Sequence, residues 1–97
     1  MITVDSRAGL IDTLHQADLP KDVKRTIYFD VISGKDFARH NEPALRRNAR
    51  NYPVYSISLP TIGFGITITG DLMRQVIKDA KLLLAKSKVV WSIETSH

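Results

Sequence analysis

The sequence predicts an α+β fold of the ferredoxin-like kind, ordered β-α-β-β-α-β over residues 25–95. That order gives a four-stranded antiparallel sheet with two helices on one face, and an extra helix precedes it within residues 1–20. Three observations lead there. "VYSISL" and "FGITIT" alternate apolar with polar residues and are joined by the short "PTIG", the pattern of a hairpin. Met73, Val76, Ile77, Ala80, Leu83 and Leu84 recur at helical spacing. "KRTIYFDVIS" and "KVVWSIE" are rich in the β-branched and aromatic residues that suit a pleated, half-buried surface.

Asp5 or Ser6 can cap the first helix, with Leu10, Ile11, Leu14 and Ala17 on one face. "DLP" ends it, since Pro20 lacks an N–H and restricts the residue before it. The next segment admits two readings. Val23, Ile27 and Val31 fit a helical stripe, and a helix over residues 21–33 would give a helical N-terminal half followed by a hairpin, as in a winged helix. The hairpin would then be the wing, but its tip "PTIGFG" carries no cation to meet phosphate. The strand reading is therefore preferred. Gly34 ends the segment either way.

In "GKDFARHNEPALRRNARNYP", Phe37, Ala44, Leu45, Asn48, Ala49 and Tyr52 keep a helical period. Pro43 suits a first turn, which places the helix at about residues 42–51. Asp71 caps the long helix that follows the hairpin. The last strand puts Val89, Trp91 and Ile93 on its core face and leaves Val90, with Tyr28, as a small apolar patch suited to pairing.

The 97 residues are enough for one domain, which at this size buries only roughly 60–65% of the surface its unfolded chain exposes. There is no cysteine, so disulfides and thiolate metal sites are excluded. "MITVDSRAGL" lacks the charged start and apolar run of a secretory leader, and no apolar run reaches the roughly 18–20 residues of a membrane span. These features set the expectation of a soluble, cytoplasmic chain.

The net charge of +4 is unevenly placed: residues 1–20 sum to −2, residues 35–50 to +3 and residues 71–88 to +3. Both excesses fall on expected helices. A basic excess favours an acidic partner, of which nucleic acid is the commonest.

"IYFDVI" and "GFGITIT" resemble the two short strand motifs of the RNA-recognition motif, in which aromatics on the open sheet face stack on bases. Side-chain parity argues against that use here. Phe64, Ile66 and Ile68 share one strand face, and it is too apolar to lie in water, so the Gly65, Thr67 and Thr69 face is the open one. "YFDV" is similar to the aspartate-ended first strand of the CRISPR-associated adaptation nucleases and the VapD ribonucleases. That resemblance implies a metal-dependent nuclease site at Asp30. A magnesium site needs one or two carboxylates, and Asp36 could supply the second.

His15, His40 and His97 lie in separate elements without ligand spacing, and "GFG" does not open a helix as a phosphate loop would. No metal or cofactor is expected. The strongest lead is "RRNAR": Glu42 can pair with Arg46 at i,i+4, whereas Arg47 and Arg50 have no local acidic partner. Unpaired guanidinium groups bind phosphate or carboxylate bidentately. Arg74, Lys78 and Lys81 form a second stripe on the last helix, and Arg39 adds a cation upstream. The expected function is a small non-enzymatic module that contacts nucleic acid through this helical face. The alternative is an adaptor or inhibitor of a nucleic-acid enzyme, docking the same arginines on an acidic protein surface. A nuclease using Asp30 ranks third. A homodimer through the open sheet face is compatible with all three.

Overall fold

The computed structural model describes the backbone of residues 2–95 and the side chains of residues 2–86. Its elements are β1 (Ile2–Val4), α1 (Arg7–Gln16), α2 (Lys21–Ser33), α3 (Lys35–Arg46), β2 (Tyr55–Leu59), a 3-10 turn (Pro60–Ile62), β3 (Phe64–Ile68) and α4 (Gly70–Thr95). The class is α+β, but the ferredoxin-like sheet is not formed. A three-stranded mixed sheet in the order β1-β3-β2 replaces it, with β1 parallel and β2 antiparallel to β3.

Two expected strands are helices. Residues 21–33 form α2, because spacing outweighs composition there. Ile27 and Val31, four residues apart, are 6% and 0% exposed, while Phe29 between them is 59% exposed. A strand would have put all three on one face. Residues 88–94 continue α4 instead of forming a last strand. Nothing between Asp71 and that segment stops a helix, since the stretch holds neither glycine nor proline. The side chains of Val89, Val90, Trp91 and Ile93 lie outside those described, so the faces expected for them do too. Helix, helix, helix and hairpin in succession is the arrangement of the alternative reading, with β1 added ahead of α1.

Local chemistry explains the boundaries. The Ser6 Oγ accepts from the Gly9 N–H at 3.0 Å and caps α1, which buries Leu10 and Leu14. Pro20 stands at the N-cap of α2, where its missing N–H costs nothing. Gly34, at φ 76°, ends α2 and starts α3 in a single residue. A Cβ on Gly34 would lie 2.8 Å from the Ala80 backbone N, so glycine is what lets α4 cross this corner.

α3 starts seven residues earlier than the sequence suggests, at Lys35. Pro43 is inside it, and the helix breaks at Asn41 (φ −125°, ψ 21°), where Asn41 Nδ2 donates to the Phe37 carbonyl at 3.1 Å. Pro43 thus shapes a kink two residues upstream of itself without ending the helix.

The hairpin matches its expected parity. Tyr55 pairs with Ile68 and Ile57 with Ile66, while Ser56 faces Thr67 across the strands with their hydroxyl oxygens 3.1 Å apart. Ile66 and Ile68 are buried. They pack with Val4 of β1, Leu10 and Leu14 of α1, Val31 of α2, Phe37 of α3, and Leu72, Val76 and Ala80 of α4. β1 is fastened at its end, since the Val4 carbonyl accepts from the Thr69 N–H at 2.8 Å. No helix among the described residues is long and apolar enough to cross a membrane.

Candidate nucleic-acid interface

The basic residues at the end of α3 owe their placement to how that helix stops. Asn48 adopts the left-handed conformation at φ 54°, a position asparagine tolerates better than most residues. Ala49 N donates back to the Ala44 carbonyl at 3.0 Å, closing a wide final turn. The chain then runs along α4 toward β2. Lys81 Nζ of α4 donates to Asn48 Oδ1 at 2.7 Å and lies 6.0 Å from the centre of the Tyr52 ring. Tyr52 in turn meets Phe37 edge-on, with ring centres 5.8 Å apart.

Arg46 and Lys81 line one open groove of about 260 Å³ between α3 and α4, floored by Leu45, Leu84 and Ala85. Arg50 lines a second, of about 310 Å³, with Tyr52, Met73 and Ile77. Arg74 and Lys78 precede Lys81 by seven and three residues, so they share its stripe on α4. The structure therefore brings the end of α3 alongside α4 and sets Arg46 and Arg50 beside the stripe that carries Lys81.

Pairing differs along this surface. Arg46 bridges Glu42 at 3.1 Å and Arg74 bridges Asp71. Arg47, Arg50 and Lys78 are exposed and meet no carboxylate among the described residues. Their charge is available to an external anion, and arginine offers five donors in a planar fork for it.

Arg39 does not join them. It sits nearer the start of α3, 3.8 Å from Asp36 Oδ1. Asp36 also accepts from the Tyr55 hydroxyl at 2.9 Å and has His40 Nδ1 at 3.4 Å. Burial, then the hydrogen bond to Asp36, pushes the Tyr55 hydroxyl pKa well above its ordinary value. This cluster fastens α3 to β2.

Asp30 falls inside α2, so the strand-end aspartate that motivated a nuclease site is not formed. No group of three or more metal-ligating side chains is found among the described residues. Asn48 and Tyr52 are the site residues that sequence reasoning missed as such. The sequence carries no signal of the turn, because Asn48 and Tyr52 keep the helical period there and the helix is expected to run to about residue 51. Compared with family models, curated proteins and solved structures, the chain matches none.

Proposed function

We propose that the chain is a non-enzymatic module that binds nucleic acid by its phosphate backbone. Arg47 and Arg50 act as bidentate phosphate ligands, with Arg46, Lys78, Lys81 and Arg74 extending the basic track along α4. The observation that carries the reading is the shared groove of Arg46 and Lys81, which sets the basic end of α3 beside the basic stripe of α4. The hairpin tip at residues 60–63 adds no cation, so the contact centres on α3 and α4.

Fluorescence anisotropy with labelled single- and double-stranded DNA and RNA tests this directly. Affinity is expected to fall by about tenfold or more between about 50 and 200 mM salt, because each neutralised phosphate releases counterions. The double variant R47E/R50E is expected to lose at least about tenfold in affinity at the lower salt with its circular dichroism unchanged. Salt-independent binding, or binding that survives the double substitution, would overturn the reading. So would no binding at low salt, an outcome that assigns the arginines to an acidic protein surface.

A further inference from the structure

A second surface, on α1 and α2, is built differently. Ile11, Leu14, His15, Lys24, Arg25 and Tyr28 line a groove of about 300 Å³ between the two helices. Its floor is apolar, made by Ile11, Leu14 and Tyr28, with Ile11 50% exposed. Phe29 adjoins it, meeting the Tyr28 ring edge-on at 5.6 Å, and is 59% exposed. Its rim is cationic. Lys24 Nζ donates to the His15 carbonyl at 3.3 Å, and Arg25 stands exposed beside it. Arg7 Nε donates to the Tyr28 hydroxyl at 3.0 Å, which fixes the ring that closes one end. No carboxylate lines the groove.

An exposed aromatic and an exposed isoleucine beside one apolar cleft mark an interaction site more than a solvated face does. The charge then selects the occupant. A second copy meeting this face across a two-fold axis would bring Lys24 and Arg25 against their own equivalents, since isologous contacts pair a patch with itself. A bare phosphate backbone has no apolar group for the floor. We propose that this groove docks an acidic segment of another protein, with one apolar or aromatic side chain seated between α1 and α2. Its carboxylates would meet Arg7, Lys24 and Arg25. The pattern is an apolar anchor within a charged rim. The inference is independent of the nucleic-acid reading, which uses other residues, on α3 and α4 and the turn between α3 and β2.

The test is selection of a random 16-residue peptide library on the full chain, followed by anisotropy with synthetic copies of the enriched peptides. Enriched peptides are expected to be net negative with an apolar or aromatic residue. Their affinity is expected to fall at least tenfold in Ile11→Ala and Arg25→Glu, and to stay unchanged in R47E/R50E. Both tested groove positions are exposed, and circular dichroism of each variant checks folding; Ile11→Glu supplies a second disruption of the floor. Four outcomes would overturn the proposal. These are enrichment of neutral or basic peptides, no enrichment at all, and acidic peptides that depend on Arg47 and Arg50 instead. The fourth is a dimer in sedimentation that Ile11→Ala dissolves, which would show that the face pairs with itself.

Discussion

Gly34 and Gly63 hold nearly the same left-handed backbone, at φ 76° and 69°, in opposite surroundings. Around Gly34, α2, α3 and α4 converge, and the Ala80 N and the Asp79 backbone carbon stand 2.8 and 3.1 Å from where a Cβ would sit. Around Gly63, at the end of the hairpin, nothing stands within 4 Å of the same point. One conformation therefore does two jobs. At the corner it permits a close approach that sets the direction of α3, and so the position of Arg46, Arg47 and Arg50. At the hairpin tip it only turns the chain. The basic surface of α3 and α4 depends on the crowded glycine and is indifferent to the open one.

The largest effect is expected at the corner. Gly34→Ala combines left-handed strain with overpacking against α4 and is expected to destabilise the fold by about 3 kcal/mol. Urea unfolding should show the midpoint move with little change in slope. A loss below about 1 kcal/mol would mean that α4 shifts to make room.

A smaller effect comes from the link between the two regions, the Tyr55 hydroxyl that donates to Asp36 and joins β2 to α3. Tyr55→Phe is expected to cost about 1.5 kcal/mol at neutral pH, since it leaves Asp36 short of one donor. The same residue predicts an alkaline signature. Burial and the Asp36 bond raise the folded-state pKa of Tyr55 above its unfolded value, so the folded chain keeps a proton that the unfolded chain gives up. That contribution is fully present below about pH 10 and is lost as pH rises toward the folded value. Unfolding free energies measured across that range should fall, and Tyr55→Phe should remove part of the fall.

The smallest effect belongs to the tip. Gly63→Ala meets only the backbone strain and should cost about 1 kcal/mol, with nucleic-acid affinity unchanged. Equal losses at Gly34 and Gly63 would erase the distinction between the two glycines.

The hairpin and the start of α4 were legible in the sequence because each is specified locally, by strict alternation in "SISL" and "ITIT" and by an unbroken apolar stripe from Leu72 to Leu84. Residues 21–33 were not, since Thr26, Ile27, Tyr28, Phe29, Val31 and Ile32 carry strand composition on helical spacing. Only the packing of Ile27 and Val31 into the core decides between them. β1 gave no signal, because three residues are too few to show a period. For the site, the arginines could be named from "RRNAR" alone, but not the partnership of Arg46 with Lys81. That depends on how α3 and α4 cross at Gly34, a tertiary fact with no local trace. Arg39 looked equivalent to the other arginines in sequence and is not, because it sits nearer the start of α3, beside the Asp36 that bonds Tyr55 of β2.

β1 also bears on the order of events in folding. Ile2 pairs with Ile66 and Val4 with Ile68, so this short ladder joins residues 64 positions apart. Loop closure costs entropy before such contacts return anything, and three residues return little. The helices and the hairpin can assemble from nearer neighbours first, and β1 then zips onto an edge already in place. Run backwards, β1 is the first piece to peel away, which would bare the β3 edge and uncover Ile66 and Ile68 before the rest of the core opens.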